Sequence, residues 1–226
     1  MIILAHRGLW RMAEEKNTLT AFERAFAGGF GVELDVRDLD GALVISHDPP
    51  RAGCLLFSTV LGLYQKYGTP GRMAINIKAD GLAPEIAHLL TEREMHAKCF
   101  VFDMSVPDML SYNRLDIVTF TRHSEYENIP SRLDVCHGVW IDAFEHPWAD
   151  EDKIISFLNE NKTVALVSPE LHGKPHREAW SVWRNALCCG GKRKFECSAV
   201  MICTDYPEDA KQFFLVGDGD DQGDII

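Results

Sequence analysis

The chain has 226 residues, 46% apolar and 25% charged, enough for one large domain with a proper core and the composition of a soluble globular protein. Its formal net charge is −11, from 23 basic and 34 acidic residues, which speaks against a nucleic-acid backbone as the main partner, because phosphate contacts need a basic surface. No apolar run reaches the length of a membrane span, residues 1–8 lack the pattern of a secretion signal, and the odd count of seven cysteines fits reduced thiols. A cytoplasmic protein without a transmembrane segment is the expectation.

In chain order, residues 2–5 (IILA) predict a buried strand that ends in His6-Arg7-Gly8. Asn17 is placed to cap a helix over 18–26, where Leu19, Phe22 and Phe26 recur at helical spacing and Gly28-Gly29 stops the run. The next stretch, 31–48 (GVELDVRDLDGALVISHD), organises the rest. Its first six residues alternate with period two, so a strand would put Glu33 and Asp35 on one face and Val32, Leu34 and Val36 on the other. Two carboxylates side by side repel and resist burial unless something neutralises them, and a hard divalent cation does so with carboxylate oxygens. Asp40-Gly41 between apolar runs is a hairpin signal, and the return run through 43–45 would carry His47 back towards the acidic pair.

A helix over 56–67 ends at Gly68, and a strand covers 73–78. Helix 83–95, strand 99–102 before Asp103, helix 106–112 and strand 117–120 follow. Strand 138–141 leads into Asp142. Helix 150–159, strand 163–167, helix 177–187 and strand 199–202 come next, the last running into Thr204-Asp205. A short helix over 208–214 ends the folded part. Residues 1–216 read as one domain, and the acidic, glycine-rich 217–226 as a disordered tail. Cys188, Cys189, Cys197 and Cys203 lack the paired short spacing of a structural zinc site.

Eight short apolar runs alternating with helical patterns indicate an α/β chain of parallel βα units, and eight such units close a TIM (β/α)8 barrel. A doubly wound open sheet is the alternative, but no G-x-G-x-x-G follows the first strand. Chemistry in such a barrel sits at the C-terminal ends of the strands. Those ends are polar here: His6 and Arg7; Glu33, Asp35 and His47; Asn76 and Lys78. Asp103, Asp142, Glu170 and Asp205 also fall at strand ends, and each reads as a helix cap or loop acid. Among the other histidines His172 alone is placed to reach the mouth. Trp140, Trp180 and Trp183 read as packing residues.

Together these residues resemble the glycerophosphodiester phosphodiesterase family. The likeness rests on His6-Arg7-Gly8, Asn17-Thr18 with Ala21-Phe22 and Ala25, Glu33-Leu34-Asp35-Val36, Asp40-Gly41, Val44 and His47-Asp48. Ile77-Lys78 and Thr204-Asp205-Tyr206-Pro207 add to it. The resemblance implies a TIM barrel, a divalent cation (Mg or Ca) and cleavage of a small or lipid-derived phosphodiester. It implies His6 and His47 as the acid/base pair, Arg7 and Lys78 as phosphate contacts, and Glu33, Asp35 and Asn76 as the metal site. Two departures stand out. The family usually has a glutamate where this chain has Asn76, a neutral oxygen donor that should lower cation affinity. It also usually has a sizeable insertion after the His-Asp pair, which is absent here, as in barrels of the sphingomyelinase D type that form cyclic phosphates. Intramolecular transfer to a cyclic phosphate, and a non-catalytic barrel that binds a phosphate ligand, remain the alternatives.

Overall fold

The apolar runs become strands because each is covered on both sides, by side chains filling the barrel and by helices outside. In the computed structural model, residues 1–68, 71–146, 151–189, 192–193 and 195–216 are described; the tail at 217–226 lies outside them. The elements run β1 (Ile2–His6), α1 (Leu19–Ala27), β2 (Gly31–Leu39), β3 (Ala42–Ile45), α2 (Phe57–Tyr67), β4 (Met73–Ile77), α3 (Ala83–Glu92), β5 (Cys99–Phe102) and α4 (Val106–Arg114). They continue with β6 (Phe120–His123), β7 (Gly138–Ile141), α5 (Glu151–Asn159), β8 (Thr163–Val167), α6 (Arg177–Leu187), β9 (Cys188–Cys189), β10 (Lys192–Arg193), β11 (Val200–Thr204) and α7 (Pro207–Lys211).

Eight of these strands form one parallel wall in the order β5-β4-β2-β1-β11-β8-β7-β6. A single parallel bridge, Val101↔Thr119, joins the two ends and makes the sheet a nearly closed barrel. Helices separate successive strands except between β6 and β7, where residues 124–137 form a loop. β3 stands outside the barrel, paired antiparallel to β2, and β9 with β10 makes a small separate hairpin. At the β2–β3 turn, Asp40 (φ 50°) and Gly41 (φ 82°) both lie in the left-handed region, the backbone a two-residue hairpin of type I′ requires. No described helix is long and apolar enough to cross a membrane.

The period-two rule sorts the residues of each strand. One set faces the barrel axis: Leu4, Ala74, Phe100, Phe102, Phe120, Trp140, Ala165, Val167, Met201 and Cys203 form a single buried cluster. Phe102 stacks on Trp140 with centroids 3.8 Å apart, and Phe100 on Phe120 at 4.0 Å. The other set packs with the helices in a larger core that holds Trp180 and Trp183. All three tryptophans named from the sequence are packing residues; Trp140 also forms part of the mouth's lining.

Two expectations shift. The strand read at 117–120 begins three residues later, at Phe120. Its pairing with β7 starts at Phe120↔Gly138, where the missing side chain of Gly138 leaves room for the Phe120 ring. The run therefore extends to Arg122 and His123, which had no place in the sequence reading. The cap of α1 is Thr18, whose hydroxyl accepts from Ala21 N at 3.4 Å. Asn17 adopts φ 60° and points elsewhere.

Candidate active site

The polar residues at the mouth continue the inward-facing rows of the barrel. On β1, Leu4 is followed two residues on by His6. On β2, Glu33 and Asp35 share the inward face; on β4, Ala74 is followed by Asn76. The parallel registers set these residues side by side, His6↔Glu33 and Asp35↔Asn76. Ala5↔Thr204 on the other flank brings Asp205 next to His6. A cavity of about 360 Å³ is lined by His6, Arg7, Glu33, His47, Asn76 and Lys78. Asp35 lies just beneath, fully buried. The residues singled out from the sequence thus meet at one mouth.

Asp35 is surrounded by donors. Arg7 Nε lies 2.9 Å from Oδ2 and Lys78 Nζ 3.2 Å from Oδ1, and Asn17 Nδ2 donates to Oδ2 at 2.8 Å. Arg7 reaches this position through a turn with φ 57° at Arg7 and 88° at Gly8; a left-handed non-glycine residue of this kind costs on the order of 1 kcal/mol and tends to occur at functional sites. One buried carboxylate therefore holds two cations together at the cavity wall.

Glu33 is placed differently. It is 2% exposed, accepts from Asn76 Nδ2 at 3.3 Å through Oε1, and its Oε2 has no hydrogen-bond partner. Burial first, and the charge of Asp35 second, push its pKa well above the carboxylate range, against Arg7 and Lys78. Asn76 Oδ1 is likewise buried without a hydrogen-bond partner. Two buried oxygens without hydrogen-bond partners, on neighbouring strands, are hard donors of the kind a divalent cation takes. Among the described residues, no group of three or more His, Cys, Asp or Glu side chains is arranged to hold one. The set holds fewer charges than a full carboxylate cage.

His6 is fixed by Asp205, whose Oδ1 lies 2.6 Å from Nδ1. With the carboxylate accepting there, Nδ1 carries the proton and Nε2 is left as the lone-pair nitrogen, 3.9 Å from Glu33 Oε2. Burial lowers the His6 pKa, with Asp205 working in the other direction, so the neutral ring is favoured. Behind Asp205 stands a polar chain. Glu170 Oε1 accepts from the Asp205 backbone N–H at 3.1 Å and from the Thr204 hydroxyl; Ser168 donates to its Oε2 and accepts from Trp180 Nε1 at 2.7 Å. His47 is unlike His6: its side chain is 48% exposed on the hairpin, and Nδ1 is 2.9 Å from Asp48 Oδ1.

Of the strand-end acids read as helix caps or loop acids, three have side-chain partners at the mouth. Asp103, at φ 68°, bonds Arg122. Asp142 Oδ1 is 2.7 Å from His172 Nε2, and Asp205 orients His6. None of them caps a helix; α4, which follows Asp103, is capped by Ser105. Counting in twos along β7 and β11, from Trp140 to Asp142 and from Cys203 to Asp205, marks two of these acids as inward-facing. Arg122 was missed because its strand was read as ending too early.

No protein-family model matches the chain, and no curated protein matches it. Solved structures match over nearly its whole length. A glycerophosphodiester phosphodiesterase from Parabacteroides distasonis is similar at TM-score 0.73 and 15% identity, over 94% of this chain and 96% of that one. A phosphodiesterase from Oleispira antarctica, in complex with the product sn-glycerol-3-phosphate, is similar at TM-score 0.64 and 17% identity, over 94% and 96%. A Ca2+-dependent phosphatidylinositol-specific phospholipase C from Streptomyces antibioticus is similar at TM-score 0.55 and 11% identity, over 92% and 96%. The chain has the TIM-barrel fold that these phosphodiesterases share.

Proposed function

We propose that the chain is a phosphoric diester hydrolase of the glycerophosphodiester phosphodiesterase type. It would cleave a small or lipid-derived phosphodiester to a phosphate monoester and an alcohol. The observation that carries this reading is the meeting of His6, Arg7, Glu33, His47, Asn76 and Lys78 around one cavity at the barrel mouth. The fold shared with named phosphodiesterases, one of them holding sn-glycerol-3-phosphate, supports it.

Arg7 and Lys78, held together by Asp35, offer a preformed cationic wall for the phosphate. Such a wall stabilises charge that grows on phosphoryl oxygens as the leaving group departs. His6, neutral and with Nε2 available, takes a proton from the attacking water as the new P–O bond forms. His47 gives a proton to the alkoxide as the old P–O bond breaks, so the protons balance over the step. Asp205 keeps the His6 ring in the tautomer this needs. Glu33, Asp35 and Asn76 would hold a magnesium or calcium ion, which when bound adds charge stabilisation at the phosphate. With Asn76 neutral, the free protein would hold that ion weakly.

Phosphorus NMR of a panel of glycerophosphodiesters and lysophospholipids tests the reading. Appearance of glycerol phosphate or another open monoester is the expected result. A persistent cyclic phosphate would replace hydrolysis by attack of a substrate hydroxyl. No turnover across the panel, with magnesium or calcium present, would leave a barrel that binds phosphate ligands without cleaving them.

A further inference from the structure

Asp205 holds the ring of His6, but the sheet that carries Asp205 stops short of it. Along β11 the pairing with β8 ends at Cys203↔Val167 and the pairing with β1 at Ala5↔Thr204. The side chain of Glu170 reaches past these ends. Its Oε1 accepts from the Asp205 backbone N–H at 3.1 Å and from the Thr204 hydroxyl, which itself accepts from the Tyr206 N–H at 3.0 Å. We propose that Glu170 is a positioning residue for the reaction: it fixes the turn that carries Asp205 and, through Asp205, the orientation of the His6 ring. The proposal rests on the phosphodiesterase reading and adds to it a residue that touches no substrate.

Glu170 lies in the short turn Pro169–His172 that follows β8, and its side chain is 7% exposed. A carboxylate in such a place loses its water, and protein donors must replace it. They do. Besides the two donors on Oε1, the Ser168 hydroxyl donates to Oε2, and His176 Nδ1 lies 3.6 Å from that oxygen. Ser168 in turn accepts from Trp180 Nε1 at 2.7 Å, and Trp180 is fully buried on α6. The carboxylate is thus anchored to the helix layer on one side and grips the Asp205 turn on the other. Lys16 Nζ also lies near Asp205, 3.6 Å from Oδ2, but its flexible stem fixes no backbone. Leu171 and His172 line the mouth cavity and Glu170 does not, so its route to the reaction runs through Asp205. Misplacement of a reacting group by about 1 Å can be costly, and the 2.6 Å contact between Asp205 Oδ1 and His6 Nδ1 leaves little room for a mobile turn.

The experiment measures kcat and KM on a glycerophosphodiester, with magnesium or calcium present, for wild type, Glu170→Ala, Glu170→Gln, Asp205→Asn and the double variant Glu170→Ala/Asp205→Asn. Nitrogen NMR of the His6 ring in each free protein runs alongside. Glu170→Ala should lower kcat roughly tenfold with KM little changed. Glu170→Gln keeps an oxygen for the Asp205 N–H and should recover most of that loss. The double variant should be no slower than Asp205→Asn, because residues that act along one line are not additive. The ring should be protonated at Nδ1 in wild type and Glu170→Gln, and show mixed tautomers in Glu170→Ala. A purely structural role would instead lower the melting temperature and add to the Asp205→Asn loss without moving the ring signal. Wild-type kcat in Glu170→Ala, additive losses, or an unchanged His6 signal overturn the proposal. If Glu170→Ala does not fold, Glu170→Asp, which draws the carboxylate back by one methylene, is read in the same way. If wild type cleaves no diester, the proposed hydrolysis falls and the ring signal alone decides: a change of tautomer in Glu170→Ala keeps Glu170 as the residue that positions His6, and no change removes it.

Discussion

The two halves of the barrel mouth are built on different wall structure. On the β4-β2-β1-β11 side, continuous parallel pairing sets His6, Glu33, Asp35, Asn76 and Asp205 in register. On the β5-β6-β7 side the wall is held by one bridge at the β5–β6 junction, and a cavity opens in it. The continuous half carries the groups proposed for proton transfer and phosphate binding, whose positions would tolerate little error. The other half carries the Asp103–Arg122 ion pair and the Asp142–His172 contact, and the second cavity opens beside them. A regular sheet fixes reacting atoms; a break in it makes space.

The largest expected effect separates the halves. His6→Ala should lower turnover by about two to four orders of magnitude, the usual contribution of a positioned acid or base, and His47→Ala by a similar amount. His172→Ala, in the other half, should cost under tenfold. Steady-state kinetics on the three variants checks this. Equal losses at His6 and His172 would erase the functional difference between the halves, and near-normal turnover in either of the first two variants would remove that residue from the chemistry.

A smaller effect sharpens the comparison within the continuous half. Asp205→Asn keeps the shape but can offer Nδ2–H where the carboxylate accepted, so the His6 ring loses its fixed tautomer. A loss of roughly 10–100-fold in kcat, typical of removing the partner that orients a functional histidine, with KM little changed, is expected. A KM increase at constant kcat would mean that Asp205 shapes binding and does not position His6.

The smallest effect concerns the loop on the other side. Glu125 accepts from the backbone N–H groups of Phe144, Glu145 and His146 at 3.0 to 3.2 Å, tying the β6–β7 loop to the segment after β7. Partial burial opposes its charge, but the backbone hydrogen bonds outweigh it and hold the pKa down at about 2. A carboxyl whose folded pKa lies below its unfolded value stabilises the fold above the unfolded value, and that contribution disappears as pH falls towards the folded pKa. Thermal melts of wild type should therefore lose stability between about pH 4.5 and about 2, and Glu125→Gln should flatten that slope. The loop is largely solvated, so the difference should amount to a few degrees or less. An unchanged slope would show that this tie adds nothing.

The same contrast governs what could be read from the sequence. Period-two alternation over residues 31–36 exposed the acidic pair directly, and Asp40-Gly41 announced the hairpin that returns His47. Those signals are local. Asp205 becomes the partner of His6 only when the last strand closes against the first, a contact across 199 residues that no local pattern carries. Arg122 was hidden because the apolar run before it suggested an earlier strand, while its register is set by Gly138 on another strand. Asn17 carries good capping chemistry, yet its left-handed backbone turns it towards Asp35 and leaves the cap to Thr18.

The most direct test of the central claim is phosphorus NMR of a glycerophosphodiester with the wild-type chain after exhaustive chelation, and again after adding millimolar magnesium or calcium. With Glu33 Oε2 and Asn76 Oδ1 buried without hydrogen-bond partners, and Asn76 a neutral donor beside Glu33 and Asp35, the free protein should lose a bound ion readily. Turnover should vanish on chelation and return with the cation, and Glu33→Ala should fail to recover. Full turnover after chelation, or full recovery in Glu33→Ala, would contradict the assignment of Glu33, Asp35 and Asn76 as the cation site at the centre of this mouth.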